Sequence, residues 1–195
     1  MFSFDGQHQD KFIRRIDNNL REMFDIVINS INRKSLDTKP RKELEEIDKD
    51  INKFYMLITK VMLHGVDNPM FLSDTKTEAI DLYNNWWVAS NLEHIGDNLK
   101  GMLRSVDKDD VEHINTTKLP ILNAIRKNYE DCIESYYKAD KRIASEAMKN
   151  SSFIREEIEK LFEEKKLSIF SLIRELEDTR YSAYQIAKMT LYLRI

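Results

Sequence analysis

Asn91-Leu92-Glu93-His94-Ile95-Gly96-Asp97-Asn98 sits inside a long helical pattern, yet it carries a glycine and two acids four residues apart. Helical spacing of four sets Glu93 and Asp97 on one face, one turn apart. A glycine inside a helix costs about 1 kcal/mol relative to alanine. Gly96 therefore calls for a reason, either a close helix approach or an ion held beside the backbone.

The helical reading extends in both directions. Upstream, Phe12, Ile16, Leu20, Met23, Val27 and Ile31 step by four and three along a first helix over 8–34. A break at 37–40 leaves Pro40 for the opening turn of a second helix. That helix, over 40–63, carries Leu44, Ile47, Ile51, Phe54, Ile58 and Val61 on one stripe. His64-Gly65-Val66-Asp67-Asn68-Pro69 reads as a loop, and Thr75 with Glu78 has the spacing of a capping box opening the third helix, which continues to about 104.

Downstream, the acids at 107–110 favour the start of a fourth helix. Pro120 implies a kink, or a true start near Thr116, before that helix ends near 139. A fifth helix over 140–164 aligns Ile143, Ala147, Ser151, Ile154, Ile158 and Leu161. A sixth, from about 167, carries Phe170, Ile173, Leu176 and Ile186. No segment alternates as a strand does. The fold class is all-α, an antiparallel helical bundle of about six helices, dividing near 106 into two halves of three: 1–106 and 107–195.

Composition agrees. The 195 residues hold only 4 glycines and 3 prolines, with 42% hydrophobic and 33% charged residues, as suits a helix-rich globular chain. The net charge of −3, with both signs interspersed, leaves no basic footprint for nucleic acid. One cysteine, Cys132, excludes an internal disulfide and a cysteine-built zinc site, and suits a reducing compartment. No apolar run approaches the roughly 20 residues of a membrane span, and the N-terminus lacks signal-peptide features. A cytoplasmic location is expected, for a free-standing chain or a soluble domain of a longer membrane protein.

Two acidic clusters are candidates for chemistry. Glu45-Glu46-Ile47-Asp48-Lys49-Asp50-Ile51-Asn52 lies on the second helix, with Asp48 and Asn52 one turn apart; Glu93 and Asp97 lie on the third. Antiparallel packing would face the pairs toward each other, and four oxygen-bearing side chains in one cleft suit iron or another divalent ion. The alternative is a solvated acidic face, or acids paired with Lys49, Lys53 and Lys100. His8, His64, His94 and His113 share no metal-ligand spacing and read as surface or cap residues. No nucleophile context or phosphate-binding glycine loop is present. Tyr83, Trp86 and Trp87 read as core aromatics or as a partner anchor, and Tyr181, Tyr184 and Tyr192 likewise.

Glu93-His94-Ile95-Gly96-Asp97 resembles the Glu-x-Ile-Gly-Asp signature of PhoU-type phosphate-transport regulators, and Asp48-Lys49-Asp50-Ile51-Asn52, after Glu45 and Glu46, resembles their first acidic motif. The resemblance covers nearly the whole chain. It implies two three-helix repeats, with metal sites lined by these acids: here Asp48, Asn52, Glu93 and Asp97, holding iron or another divalent ion. The second half departs from the pattern. Glu177-Asp178-Thr179-Arg180-Tyr181 keeps Glu177 but has Tyr181 where the second acid belongs, and Ser151-Ser152-Phe153-Ile154-Arg155 has lost both acids. Metal binding is therefore expected in the first half alone.

The resemblance further implies a non-enzymatic regulator of phosphate transport and homeostasis. It would act by protein contact at the cytoplasmic side of a phosphate transporter, on its ATPase subunit or a sensor kinase, peripheral to the membrane through that partner; a homodimer is compatible with this. An alternative is the cytosolic regulatory domain of a sodium-dependent phosphate cotransporter. Readings of other classes are a carboxylate-bridged metalloenzyme, which the absence of any Glu-x-x-His pair disfavours, and a purely structural helical adaptor.

Overall fold

Apolar positions recurring at three and four residues can be buried together only on helices, and the computed structural model, which describes residues 6–33, 38–106, 111–163 and 170–193, is an all-α bundle. Its helices are α1 (Gly6–Asn32), α2 (Thr38–Asp67), α3 (Pro69–Thr75), α4 (Ala79–Ser105), α5 (Val111–Lys138), α6 (Lys141–Glu163) and α7 (Phe170–Thr190).

Helices α1, α2 and α4 pack on one another, as do α5, α6 and α7; α4 against α7 and α1 against α5 join the two groups. One apolar core runs through all six, from Ile16, Leu20 and Val27 through Ile51 and Leu92 to Ile133, Ile158 and Ile186. Within each group the successive long helices run antiparallel, so α1 lies parallel to α4, Asn85 bonding Gln9, and α5 parallel to α7, with Ser135 3.1 Å from Thr190. Early α2 meets late α4 where Glu45 accepts from Arg104, and late α2 meets early α4 where Gly65 lies against Leu82. The α4–α7 seam has the same sense, with Gly101 over Glu175 and the Ser105 and Ser171 hydroxyls 3.1 Å apart.

Several expectations are corrected. The described residues form six long helices, as expected, and one short helix, α3, while the loop expected at 64–69 shrinks to Asn68. Gly65 is not a turn residue: it stays helical, and a Cβ there would come 2.1 Å from Leu82 Cδ1. Its role is close approach between α2 and α4. Asn68 caps α3, its side-chain oxygen accepting from the Phe71 amide at 3.2 Å, with Pro69 in the first turn. The Thr75–Glu78 capping box does not form. Thr75 ends α3 and its hydroxyl donates back to the Phe71 carbonyl at 2.7 Å, Lys76 closes α3 at φ 52°, and Glu78 caps α4 by backbone alone.

Helix α5 starts at Val111, not near Thr116, and passes through Pro120; the missing N–H there removes one helical bond without ending the helix. Asp140 opens α6, its carboxylate accepting from the Arg142 and Ile143 amides at 2.8 and 3.2 Å. Phe170, expected in the core stripe, is 54% exposed and packs edge-on to Phe162. The acids expected to start the fourth helix, at 107–110, and the sixth helix's expected start near 167 lie outside the described residues.

Candidate functional site

Antiparallel contact between early α2 and late α4 carries the two acidic segments into one groove. Asp48 is only 7% exposed. Its Oδ2 accepts from Lys100 Nζ at 2.6 Å and from Asn52 Nδ2 at 3.3 Å, and Lys100 Nζ also donates to Asp97 Oδ1 at 2.8 Å. Asp48 Oδ1 is enclosed and has no hydrogen-bond partner. An enclosed carboxylate oxygen without a donor is costly, so the groove is incompletely satisfied by the protein's own groups.

Glu93 lies one helical turn before Asp97, half-buried, with the His94 ring beside it, Nε2 3.8 Å from Oε2. Burial pushes the Glu93 carboxyl above its ordinary range, the Asp97 charge adds to that, and Asp48 adds a smaller share, against His94 and Lys100. For Lys100, burial works to lower the ammonium, but the hydrogen bonds to Asp48 and Asp97 outweigh it and the net shift is upward. The four residues read from the sequence thus fall into two contacts and one field. Asp48 bonds Asn52, Lys100 ties Asp48 to Asp97, and Glu93 sits in the field of both acids.

Lys100 occupies the position a bound cation would take between Asp48 and Asp97. Of the three lysines suggested as partners for these acids, it is the one that pairs with them. Among the described residues, no group of three or more His, Cys, Asp or Glu side chains is gathered at metal-ligating separation. The donor set still fits a hard divalent ion in kind, since carboxylate oxygens and an amide oxygen are its preferred ligands. The unpartnered Asp48 Oδ1 is the atom that most needs one.

Gly96 faces away from the groove. A Cβ there would meet Ile51 Cδ1 at 3.3 Å and Leu20 Cδ2 at 3.4 Å, so its reason is helix packing and not a bound ion.

The corresponding place in the second half is built differently. Ser151 of α6 is fully buried and accepts from Arg180 Nη1 of α7 at 2.7 Å. The Arg180 guanidinium also donates to both oxygens of Glu177, at 2.7 and 2.5 Å. Its side chain is 6% exposed. A forked arginine–carboxylate pair is a geometrically fixed contact. The open groove of about 440 Å³ beside it is lined by Ser152, Arg155, Glu177, Arg180, Tyr181 and Tyr184.

The remaining candidates resolve simply. His94 is exposed, and His64 packs edge-on to Phe71 at 4.9 Å; the side chains of His8 and His113 lie outside the described residues. Trp86 packs on the core, while Trp87 stacks on the exposed Tyr83 ring with centroids 6.4 Å apart. Tyr181 stacks on Tyr184 at 6.3 Å beside the second groove. No described helix is long and apolar enough to cross a membrane.

Sequence reading missed a centre at the α1–α5 seam. Asp17, 5% exposed, accepts from Tyr129 Oη at 2.6 Å, Tyr137 Oη at 3.1 Å and Arg21 Nε at 2.9 Å. Arg14 lies over the Tyr137 ring at 4.1 Å. An acid on the buried row formed by Ile13, Leu20 and Phe24 was the available signal. Against this geometry, no protein-family model, curated protein or solved structure matches the chain.

Proposed function

We propose that the protein is a non-enzymatic, PhoU-like regulator of inorganic-phosphate transport, working by contact between one face of the bundle and a transporter, its ATPase subunit or a sensor kinase at the cytoplasmic side of the membrane. In this reading the α2–α4 groove binds iron or another divalent ion through Asp48, Glu93 and Asp97, with Asn52 completing the set. The bound ion would supply positive charge that holds α2 to α4 or bridges to a partner. The observation that carries the reading is that the two motif segments meet across one groove and leave Asp48 Oδ1 enclosed without a donor. The resemblance of Glu93-His94-Ile95-Gly96-Asp97 to the PhoU signature supplies the link to phosphate.

Glu93→Ala combined with Asp97→Ala is expected to lower metal bound to the purified protein, measured by elemental analysis, while far-ultraviolet circular dichroism stays helical. Unchanged metal content in the double variant overturns the site.

Lys100 favours a second reading, a structural adaptor whose acids are neutralised from within. Thermal shifts with iron, manganese, zinc or magnesium separate the two. A response to any of these ions that the double variant loses supports the first reading, and a flat response to all four supports the adaptor.

A further inference from the structure

We propose that Lys100 is a displaceable counter-cation of the α2–α4 groove: it competes with a divalent ion for Asp48 and Asp97, and loading the groove drives its ammonium out onto the exposed face. The inference rests on the metal reading above and adds a regulatory step to it.

Lys100 satisfies its surroundings incompletely. The ammonium reaches one oxygen of Asp48 and one of Asp97. Asp48 Oδ1 has no hydrogen-bond partner, and Glu93 has the His94 ring beside it at 3.8 Å. A divalent ion, with room for six or more oxygen ligands, can take both oxygens of Asp48 as well as one of Asp97. The Lys100 ammonium, with three donors on one nitrogen, reaches one oxygen of each.

Two cations cannot share this space. Asp48 Oδ2 and Asp97 Oδ1 lie 2.6 and 2.8 Å from the same nitrogen, so an ion ligated by both oxygens would occupy the ammonium's own position. Lysine is suited to leave. Its charge rides on a flexible four-carbon stem and is strongly hydrated once outside. Its side chain is 15% exposed, against 6% for Arg180.

The second half supplies the contrast. There the cation between α6 and α7 that meets Glu177 is Arg180, more deeply enclosed and held by three hydrogen bonds to Glu177 and Ser151. Those bonds account for both Glu177 oxygens, and no acid in that groove is left with an enclosed, donor-free oxygen. Permanent neutralisation is thus built with a forked arginine, whereas the acid-rich groove carries a lysine that leaves oxygens open. On release, Lys100 adds a mobile positive charge to the surface that already bears Arg104. The metal state of the groove is thereby converted into a change of surface charge that a protein partner can read.

The test uses Mn²⁺ alone with the full chain. Wild type, Lys100→Met and Lys100→Gln are titrated by calorimetry, and Lys100 is probed in wild type by amine acylation with mass-spectrometric readout, with and without Mn²⁺. Removing the competitor should tighten Mn²⁺ binding at least tenfold in both variants, and Mn²⁺ should raise Lys100 acylation severalfold in wild type. Lys100→Gln keeps a polar head, and its titration decides the matter if Lys100→Met fails to fold. If the variants bind Mn²⁺ no tighter than wild type, or acylation of Lys100 does not rise when Mn²⁺ binds, displacement is wrong while the metal reading survives. If neither wild type nor either variant binds Mn²⁺, both fall.

Discussion

Replacing Asp17 by alanine tests what holds α1 to α5. The carboxylate accepts from Tyr129, Tyr137 and Arg21 in an almost fully enclosed setting. Burial, then the Asp17 charge, pushes the Tyr129 hydroxyl well above its ordinary range, so it remains a donor at any working pH. Alanine leaves that wholly enclosed hydroxyl without an acceptor, which costs about 1–3 kcal/mol. The half-buried Tyr137 hydroxyl can reach water and adds about 1 kcal/mol at most. Arg21 is 38% exposed and has Glu130 at 3.6 Å, so its loss is small after solvent screening. The sum is roughly 3 kcal/mol, which at about 2–4 °C per kcal/mol for a chain of this size lowers Tm by roughly 6–12 °C. Urea denaturation followed by circular dichroism measures it. The decisive control is Tyr129→Phe, which removes the stranded hydroxyl. Combined with Asp17→Ala it should be less damaging than the two single changes added together, by about 1 kcal/mol or more. A loss under about 0.5 kcal/mol for Asp17→Ala, or strict additivity in the double variant, would refute the claim that this buried carboxylate holds the seam.

Gly96→Ala should be close to neutral. The helix-propensity gain of about 1 kcal/mol is set against moving Ile51 Cδ1 and Leu20 Cδ2 by a few tenths of an ångström, and metal uptake should be unchanged because the new methyl points into the core; a loss above about 2 kcal/mol by urea denaturation would contradict that placement. Glu93→Gln should raise Tm in chelator at pH 7 and not at pH 4. The folded state holds the Glu93 proton more tightly than the unfolded chain, whose ordinary value is 4.5, so stability is lost as pH rises from there through the folded pKa. Thermal melts at the two pH values decide, and a lower Tm for the glutamine variant at pH 7 would reverse the electrostatic reading.

Burial explains what was legible in the sequence. Helices whose apolar residues repeat along one row, such as Ile16, Leu20, Met23, Val27 and Ile31, declare themselves because solvent exclusion selects that spacing. Spacing of four sets Glu93 with Asp97 and Asp48 with Asn52 on shared faces, and Asp48 and Asp97 meet at Lys100 although α3 intervenes between their helices. Signals with two physical uses were misread. Gly65 looks like a turn residue beside Asn68 and Pro69, yet its missing side chain admits Leu82. Thr75 has the chemistry of an N-cap, yet its hydroxyl satisfies a carbonyl at the end of α3.

Long-range polar choices were the least legible, and they decide what the two grooves do. Lys49, Lys53 and Lys100 are equivalent by composition; only Lys100 lies one turn past Asp97 on the face that meets Asp48 across the helix pair. Arg180 stands where Gly96 stands in the alignment of the two acidic segments, and nothing in Glu177-Asp178-Thr179-Arg180-Tyr181 announces that its guanidinium crosses to Ser151 on α6. Both halves put a cation between their second and third long helices, but through different chain positions and different headgroups. A forked guanidinium that saturates one carboxylate is hard to displace, whereas an ammonium that leaves Asp48 half-satisfied is not. Similar helix packing therefore yields one groove whose carboxylate is saturated by its own arginine and one, under the proposal above, whose charge balance a small ion would change.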